Sequence, residues 1–439
     1  MQKIHGRKKL FLYACSGLGV NMLNLIVGTY LCSALLVGGF EAHLSEWTYI
    51  SRDLVVAGLW SVLILAAKII DGLIDLPFSH MADNFRTRFG RRRPMILIGF
   101  VPMIIAYLLF LVPIDKSATV LNTVWFALLL FIFYGCYTLT MITYYATFAE
   151  VTESGEDLVF VSNVKSVCDV VYFIFGYALI PAFVSMNLNI RVVALIFLPL
   201  SLTMAIPFFL LREDDLRKKE IEPRNDGERV TFVKSFLFTA KDKPFIAWLF
   251  VLAVMNMGLQ LFLSGINEFF STTGLNMTFI MASCFVPVPV TIMLYNKIVN
   301  KKGLGFAYRY ILLVYSIGMG LMGLCNIIKG AALFPFAIGC SLIVSVSIGA
   351  FFSVTYTVPS DRAAKRQVEG CAASSMYYAI QGLFEALSAG LGSGIILVFL
   401  KQSGYISYMT VIVAVFCMLA FVFSLFLPKC IQTIGKSEK

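Results

Sequence analysis

Residues 68–99 read KIIDGLIDLPFSHMADNFRTRFGRRRPMILIG. The first third is apolar except for Lys68, Asp71 and Asp75. The middle, DNFRTRFGRRRP at 83–94, is a basic loop with one glycine. The last part opens a second apolar run. Apolar run, short charged turn, apolar run is the pattern of a chain that crosses a bilayer and returns. A crossing helix needs about 20 apolar residues, because the hydrocarbon core is ~30 Å thick and a helix rises ~1.5 Å per residue.

The same alternation continues outward in both directions. Spanning helices are expected at 10–38, 54–82, 94–113, 120–148, 159–186, 190–211, 244–270, 275–297, 306–328, 331–357, 370–399 and 405–427. The basic start resembles the opening of a signal peptide. The apolar stretch after it is longer than a signal core and lacks a small-residue cleavage site, so a retained first helix is expected. Composition agrees. Of 439 residues, 59% are hydrophobic and 14% charged, whereas soluble domains run at about a quarter charged. Too few charges remain to coat a water-exposed surface. An all-α, multi-pass integral membrane protein of a plasma or inner membrane is expected, with the lipid bilayer as its main partner.

One long polar connection, 212–243, interrupts the series. It carries Arg212, Glu213, Asp214, Asp215, Arg217, Lys218, Lys219 and Glu220, with Pro223 and Gly227. The chain therefore reads as an N-terminal six-helix half at 1–211, a cytoplasmic linker at 212–243 and a C-terminal six-helix half at 244–439. The loop YNKIVNKKGLGFAYR at 295–309 is the counterpart of 83–94: both are basic, contain glycine and follow the second helix of their half. Two parallel six-helix repeats fit this arrangement.

The net charge of +10 belongs to topology rather than to nucleic acid. With both termini cytoplasmic, 28 of the 35 Lys and Arg fall on the inner side. Five lie in outer loops, namely Arg52, Lys116, Arg191, Lys329 and Lys401, while Lys68 and Lys165 lie inside helices. Such a bias is the positive-inside signature. The ten cysteines are scattered singly within apolar runs and read as small buried hydrophobes. His5, His43 and His80 are far apart and suggest no metal site. No HExxH, P-loop or GxSxG occurs. The glycines at 390, 392 and 394, and at 318, 320 and 323, lie within apolar helices and read as close packing rather than nucleotide binding. Neither an enzyme nor a cofactor is expected.

Ionisable residues inside a membrane are costly and mark cavities or partners. Lys68, Asp71 and Asp75 are 3 and 4 residues apart and share one face of the second helix. Two carboxylates one turn apart repel, so either one holds a proton or a cation sits between them. An ion-pair network with neighbouring helices is the other reading. Lys165, Asp169, Tyr172 and Gly176 share a face of the fifth helix; the pair either neutralises itself or meets a solute. Tyr378, Gln381 and Glu385 share a face of the eleventh, where Glu385 is either functional or a partner for Lys68 or Lys165. Weaker polar stripes are Asn21 and Asn24, then Tyr134, Tyr137, Thr138 and Tyr145, then Asn256, Gln260 and Ser264. Together these faces suit a central hydrophilic cavity, and interhelical hydrogen bonding would produce the same pattern.

The 68–99 segment resembles the glycoside–pentoside–hexuronide:cation symporters, a branch of the major facilitator superfamily that includes the melibiose permease. Two aspartates four apart, followed by an Arg-x-Arg-aromatic-Gly-Arg-Arg-Arg-Pro loop, carry the resemblance. YYATFAEVTESGEDLVFVSNVK at 144–165 and RQVEG at 366–370 add to it. The resemblance implies the major facilitator fold of twelve helices in two pseudo-symmetric halves. It also implies a cation site at Asp71 and Asp75 with Thr138, and a sugar-like small molecule between the halves. Where the family carries acids in helices 1 and 4, this chain has Asn21 and Met141. The amide before the second aspartate is Ile74, the helix 5 arginine is Lys165, the aromatic platform is Tyr145, and the helix 11 lysine is Glu385.

Cation-coupled symport of a sugar or glycoside-like solute by alternating access is therefore expected, with sodium (Na+) and proton both open. The only metal called for is a sodium ion at Asp71 and Asp75. Solute contacts are expected from Asn21, Tyr137, Tyr145, Lys165, Asp169, Asn256, Gln260, Gln381 and Glu385. Gating charge pairs are expected from Asp83, Arg86, Arg88, Arg91, Arg92 and Arg93. The functional unit is expected to be a monomer. The same fold carrying a lysolipid, steroid or aromatic glycoside is the alternative, and a non-transporting membrane sensor is a third reading.

Overall fold

The computed structural model describes residues 3–84, 87–90, 92–153, 155–212, 237–367 and 374–436. Most of the expected linker lies outside them. Among the described residues, twelve helices are long and apolar enough to cross a membrane. They are α1 (Arg7–Leu35), α2 (Ala57–Asn84), α3 (Arg92–Phe110), α4 (Val120–Ala146), α5 (Gly155–Ile174, continuing to Ser185), α6 (Ile190–Leu210), α7 (Lys243–Thr273), α8 (Met277–Lys302), α9 (Leu304–Asn326), α10 (Leu333–Gln367), α11 (Met376–Ser403) and α12 (Ile406–Leu425). All twelve expected spans are present.

Their ends follow from local chemistry. Thr119, Asn189, Asp242 and Asn276 precede α4, α6, α7 and α8, and each side chain accepts a backbone N–H of the first turn. Gly274 and Gly404 close α7 and α11 in the left-handed conformation, which costs glycine nothing. Two helices run past their expected ends: α2 continues through Pro77 to Asn84, and α10 continues beyond 357 through the polar stretch at 360–367 to Gln367.

Apolar side chains cover the outside as well as the inside. On α4, Val120, Leu121, Val124, Leu128 and Ile132 recur at helical spacing on the exposed side, the stripe expected where lipid rather than water is the solvent. Between helices the approach is close. A Cβ on Gly19 of α1 would lie 1.9 Å from the Leu200 carbonyl oxygen of α6, and one on Gly392 of α11 would lie 2.4 Å from that of Met257 in α7. Only glycine allows backbones so near each other.

The backbone divides into two compact units. Unit 1 comprises 1–37, 43–63 and 73–225; unit 2 comprises 38–42, 64–72 and 226–439. Helix α2 thus contributes its middle to unit 2 and both ends to unit 1. Within unit 2 that middle lies against α11: a Cβ on Gly72 would meet Ala386, and one on Gly390 would meet Leu65 and the Lys68 stem.

Candidate solute site and the buried ion pairs

In unit 1, three helices bring polar side chains to one place. Asn21 lies midway along α1 and is buried. Its Nδ2 donates to Asp169 Oδ1 of α5 at 3.5 Å and to the Tyr145 hydroxyl of α4 at 3.4 Å. Its Oδ1 accepts from the Tyr137 hydroxyl at 3.0 Å. Lys165 Nζ donates to Asp169 Oδ2 at 2.5 Å, and lies 5.1 Å from the centre of the Tyr145 ring. The 4-residue step on α5 makes the ion pair, and the Tyr145 ring offers its negative face to the ammonium. Behind this group, α1 and α5 are fastened by Tyr30, whose hydroxyl donates to the Gly176 carbonyl at 2.7 Å.

Three properties set this cluster apart. Its charges cancel. Its side chains stay partly open, with Lys165 30% and Asp169 26% exposed. The Asn21 bonds to Asp169 and Tyr145 are at the long limit of hydrogen bonding, so an entering hydroxyl can replace them at little cost. Every solute-contact residue expected in this half is here.

In unit 2 the expected residues form a second chain of bonds. Trp248 Nε1 donates to Gln381 Oε1 at 3.1 Å, and Gln381 Nε2 donates to Glu385 Oε1 at 2.9 Å. Asn256 Nδ2 donates to the Glu385 carbonyl and to Ser388 Oγ, both at 2.8 Å. Gln260 is half-buried one turn beyond Asn256. Lys165 has Asp169 of its own helix as a partner.

Of the expected cation residues, Asp71 is half-buried in unit 2 and Thr138 is buried in unit 1. The side chain of Asp75 lies outside the described residues. Within unit 1, Ile74 and Phe78 of α2 pass over Gly135 of α4, one turn from Thr138. Of the expected gating residues, Arg86 and Arg91 lie outside the described residues, as does the Asp83 side chain. Thr87 and Gly90 exchange backbone hydrogen bonds of 3.1 Å across a tight turn whose Gly90 has φ +94°. Arg88 is exposed at its tip, over the Phe89 ring. Arg92 is buried, and Arg93 donates through Nε to the Phe208 carbonyl at 3.0 Å while its guanidinium covers the Phe208 ring.

Two ion pairs escaped the sequence reading. Lys401 was expected in an outer loop, but α11 runs four residues past its expected end and buries it. Its Nζ donates to Glu268 Oε1 of α7 at 2.7 Å, with side chains 2% and 0% exposed, and lies 4.9 Å from the Phe40 ring centre. Asp242 accepts from Arg362 Nε at 2.9 Å and Nη2 at 2.8 Å, and from the Tyr377 hydroxyl at 2.9 Å. Burial disfavours the Arg362 charge, yet the hydrogen bonds and charge of Asp242 outweigh it and hold the guanidinium above its ordinary pKa. Glu268 within a predicted span was the available signal for the first pair. Nothing local signals the second, because its members are 120 residues apart.

A family model described as MFS/sugar transport protein matches residues 12–428. No curated protein matches the sequence. Among solved structures, the chain is similar to the nucleoside transporter NupG, with 13% identity, TM-score 0.66 and coverage of 97% of this chain and 100% of that one. It is similar to a bacterial homologue of the human lysosomal transporter Spinster, at 12% identity, TM-score 0.62 and coverage of 99% and 100%. It is also similar to the E. coli fucose:proton symporter FucP, at 13% identity, TM-score 0.52 and coverage of 96% and 98%. At these identities the likenesses speak for the fold alone. The family match over nearly the whole length goes further: this chain belongs to the MFS/sugar transport proteins, the glycoside–pentoside–hexuronide-like family, and is a multi-pass membrane transporter of the major facilitator fold.

Proposed function

We propose that this transporter carries a neutral, sugar-like solute by cation-coupled symport. The observation that carries the reading is the cluster of Asn21, Tyr137, Tyr145, Lys165 and Asp169. A sugar hydroxyl both donates and accepts, so it can take bonds from Lys165 and Tyr137 and give bonds to Asp169 and Asn21 in turn. The Tyr145 face supplies an apolar surface for the C–H side of a sugar ring. Because the one acid and one base cancel, a neutral solute leaves the local charge balanced, whereas an ion would leave it unbalanced at an energetic cost in a low-dielectric setting.

The coupling ion is assigned to Asp71 and Asp75, with Thr138 as an oxygen donor. Two carboxylates one turn apart repel until a proton or a sodium ion joins them. Loading that site would then favour the solute-competent state in an alternating-access cycle. A sodium ion takes several oxygen ligands, and Ile74 supplies none, which leans towards a proton.

Proteoliposomes with imposed sodium or proton gradients, assayed over a panel of sugars and glycosides, test both parts. One gradient should drive accumulation of at least one sugar, and Asp71→Asn should abolish that drive while leaving solute exchange. Gradient-driven accumulation by Asp71→Asn would refute the coupling site. Accumulation of lysolipids or steroids but no sugar would replace the solute class with the amphipathic alternative.

A further inference from the structure

A second polar site lies in unit 1, away from the solute cluster. The N-terminal segment and the end of α6 line an open cleft of about 410 Å³, formed by Lys3, Ile4, His5, Lys9, Phe209, Leu210 and Arg212. Its walls are pinned. Ile4 is buried and its N–H donates to the Val151 carbonyl at 2.9 Å. His5 pairs with Glu153. Arg93 holds the turn beside Phe209 through the Phe208 carbonyl.

The lining is cationic at one end and apolar at the other. Lys3, Lys9 and Arg212 bring three positive charges, and no acidic residue lines the cleft among the described residues. Both helices have an end here: α1 begins at Arg7 and α6 ends at Leu210. Phe209 is 74% exposed, and Phe11 and Leu12 are exposed one turn into α1. Positive charge at the boundary with apolar surface beside it is the chemistry of a lipid anion. A soluble phosphate would use the cations and leave Phe209 without purpose.

We propose that this cleft binds the phosphate of an anionic phospholipid, with Lys3, Lys9 and Arg212 around the headgroup and the acyl chains leaving over Phe209. Glu213, Asp214 and Asp215 follow Arg212 in sequence and lie outside the described residues. They are the competing occupants, because a carboxylate of the chain itself could fill the cleft.

Native mass spectrometry of the full chain in neutral detergent tests this, with phosphatidylglycerol and phosphatidylcholine of matched acyl chains. Phosphatidylglycerol should be retained at least tenfold more than phosphatidylcholine. A basic residue near an anionic lipid contributes ~1 kcal/mol, about fivefold in affinity. Lys9→Gln with Arg212→Gln should therefore bring the two lipids close to parity. Both residues are exposed, so the fold should survive. Lys8→Gln with Lys436→Gln removes equal charge outside the lining and should change nothing. Equal losses from both double variants would overturn the site in favour of general surface charge. Competition by sn-glycerol 1-phosphate at matching concentration would overturn the lipid as its source. Retention appearing only after Glu213→Gln, Asp214→Asn and Asp215→Asn would show the cleft filled by the chain's own acids, and would also overturn the proposal.

Discussion

Lys165–Asp169 in unit 1 and Glu268–Lys401 in unit 2 are the same chemistry at two depths of burial. Their N–O distances are close, 2.5 and 2.7 Å. Yet the first pair is 30% and 26% exposed, whereas the second is 2% and 0% exposed. The first sits among long, exchangeable bonds from an amide and two phenols. The second is sealed by the loop at 38–42: a Cβ on Gly39 would lie 3.0 Å from the Glu268 Cβ, and one on Gly38 would lie 2.8 Å from the Lys401 carbonyl oxygen. Ser271, one turn along α7 from Glu268, clamps that loop by accepting the Glu41 N–H at 2.9 Å and the Ala42 N–H at 2.8 Å. Exposure, not pairing, separates the two ion pairs.

The sealed pair should give the largest effect. Removing one partner strands the other charge where water cannot reach it, which costs about 3–5 kcal/mol. Lys401→Met or Glu268→Gln alone is expected to lower the detergent melting temperature sharply and to reduce yield. The double variant should recover most of the loss, because a paired deletion leaves no naked charge. A double variant as unstable as either single would mean that packing, not charge, carries the contribution of this site.

Asp242 should come next. Asp242→Asn weakens the two-pronged bond to Arg362 and the bond from Tyr377, and alters the acceptor that caps α7, for an expected loss of about 2–3 kcal/mol. Arg362 should bring no pH dependence of its own in the ordinary range. Its pKa is raised in the folded protein, so its contribution is fully present below the unfolded value and fades only as pH climbs through the higher folded one. A melting temperature that Arg362→Gln lowers equally at pH 6 and pH 9 is the expected result. A loss confined to one end of that range would assign the titration elsewhere in the cluster.

How much of this contrast was readable in the residues depends on distance along the chain. The twelve spans were legible because lipid selects composition, and composition is local. The Lys165–Asp169 pair was legible because a 4-residue step on one helix fixes its geometry. The placing of Asn21 against Asp169 is different: it depends on which faces of α1 and α5 meet, and stripes on separate helices carry no mutual register. Lys401 was misplaced because a long aliphatic stem lets a charge sit at the end of an apolar helix, and the hydropathy window closed before reaching it. Asp242 and Arg362 were unreadable as partners, since one caps α7 and the other lies near the end of α10, and they come together only when α7, α10 and α11 pack.

The open pair should show the reverse signature, with function lost and stability kept. Asp169→Asn is expected to reduce transport efficiency roughly 10- to 100-fold, the worth of one or two hydrogen bonds to a charged group. Its melting temperature should stay near the parent's, because a partly solvated pair contributes about 1 kcal/mol or less. Lys165→Gln should behave alike. A large stability loss with exchange intact would make this pair another structural brace and would remove the basis for placing the solute here.

The smallest effect belongs to Tyr137→Phe, and it tests the contrast most finely. The Tyr137 hydroxyl donates to Asn21 Oδ1 at 3.0 Å, and its ring stacks on Phe133 at 6.5 Å between centres. Phenylalanine keeps the stacking and deletes one neutral hydrogen bond, worth about 1 kcal/mol or roughly fivefold. If Tyr137 only orients Asn21, freeing that amide oxygen makes it an acceptor for a solute hydroxyl, and apparent affinity should hold or improve. If Tyr137 binds the solute directly, affinity should fall about fivefold and maximal rate should stay. Comparing a sugar with its analogue lacking one hydroxyl separates the two cases. A direct contact erases the difference between them at the hydroxyl it served, and an orienting contact preserves it.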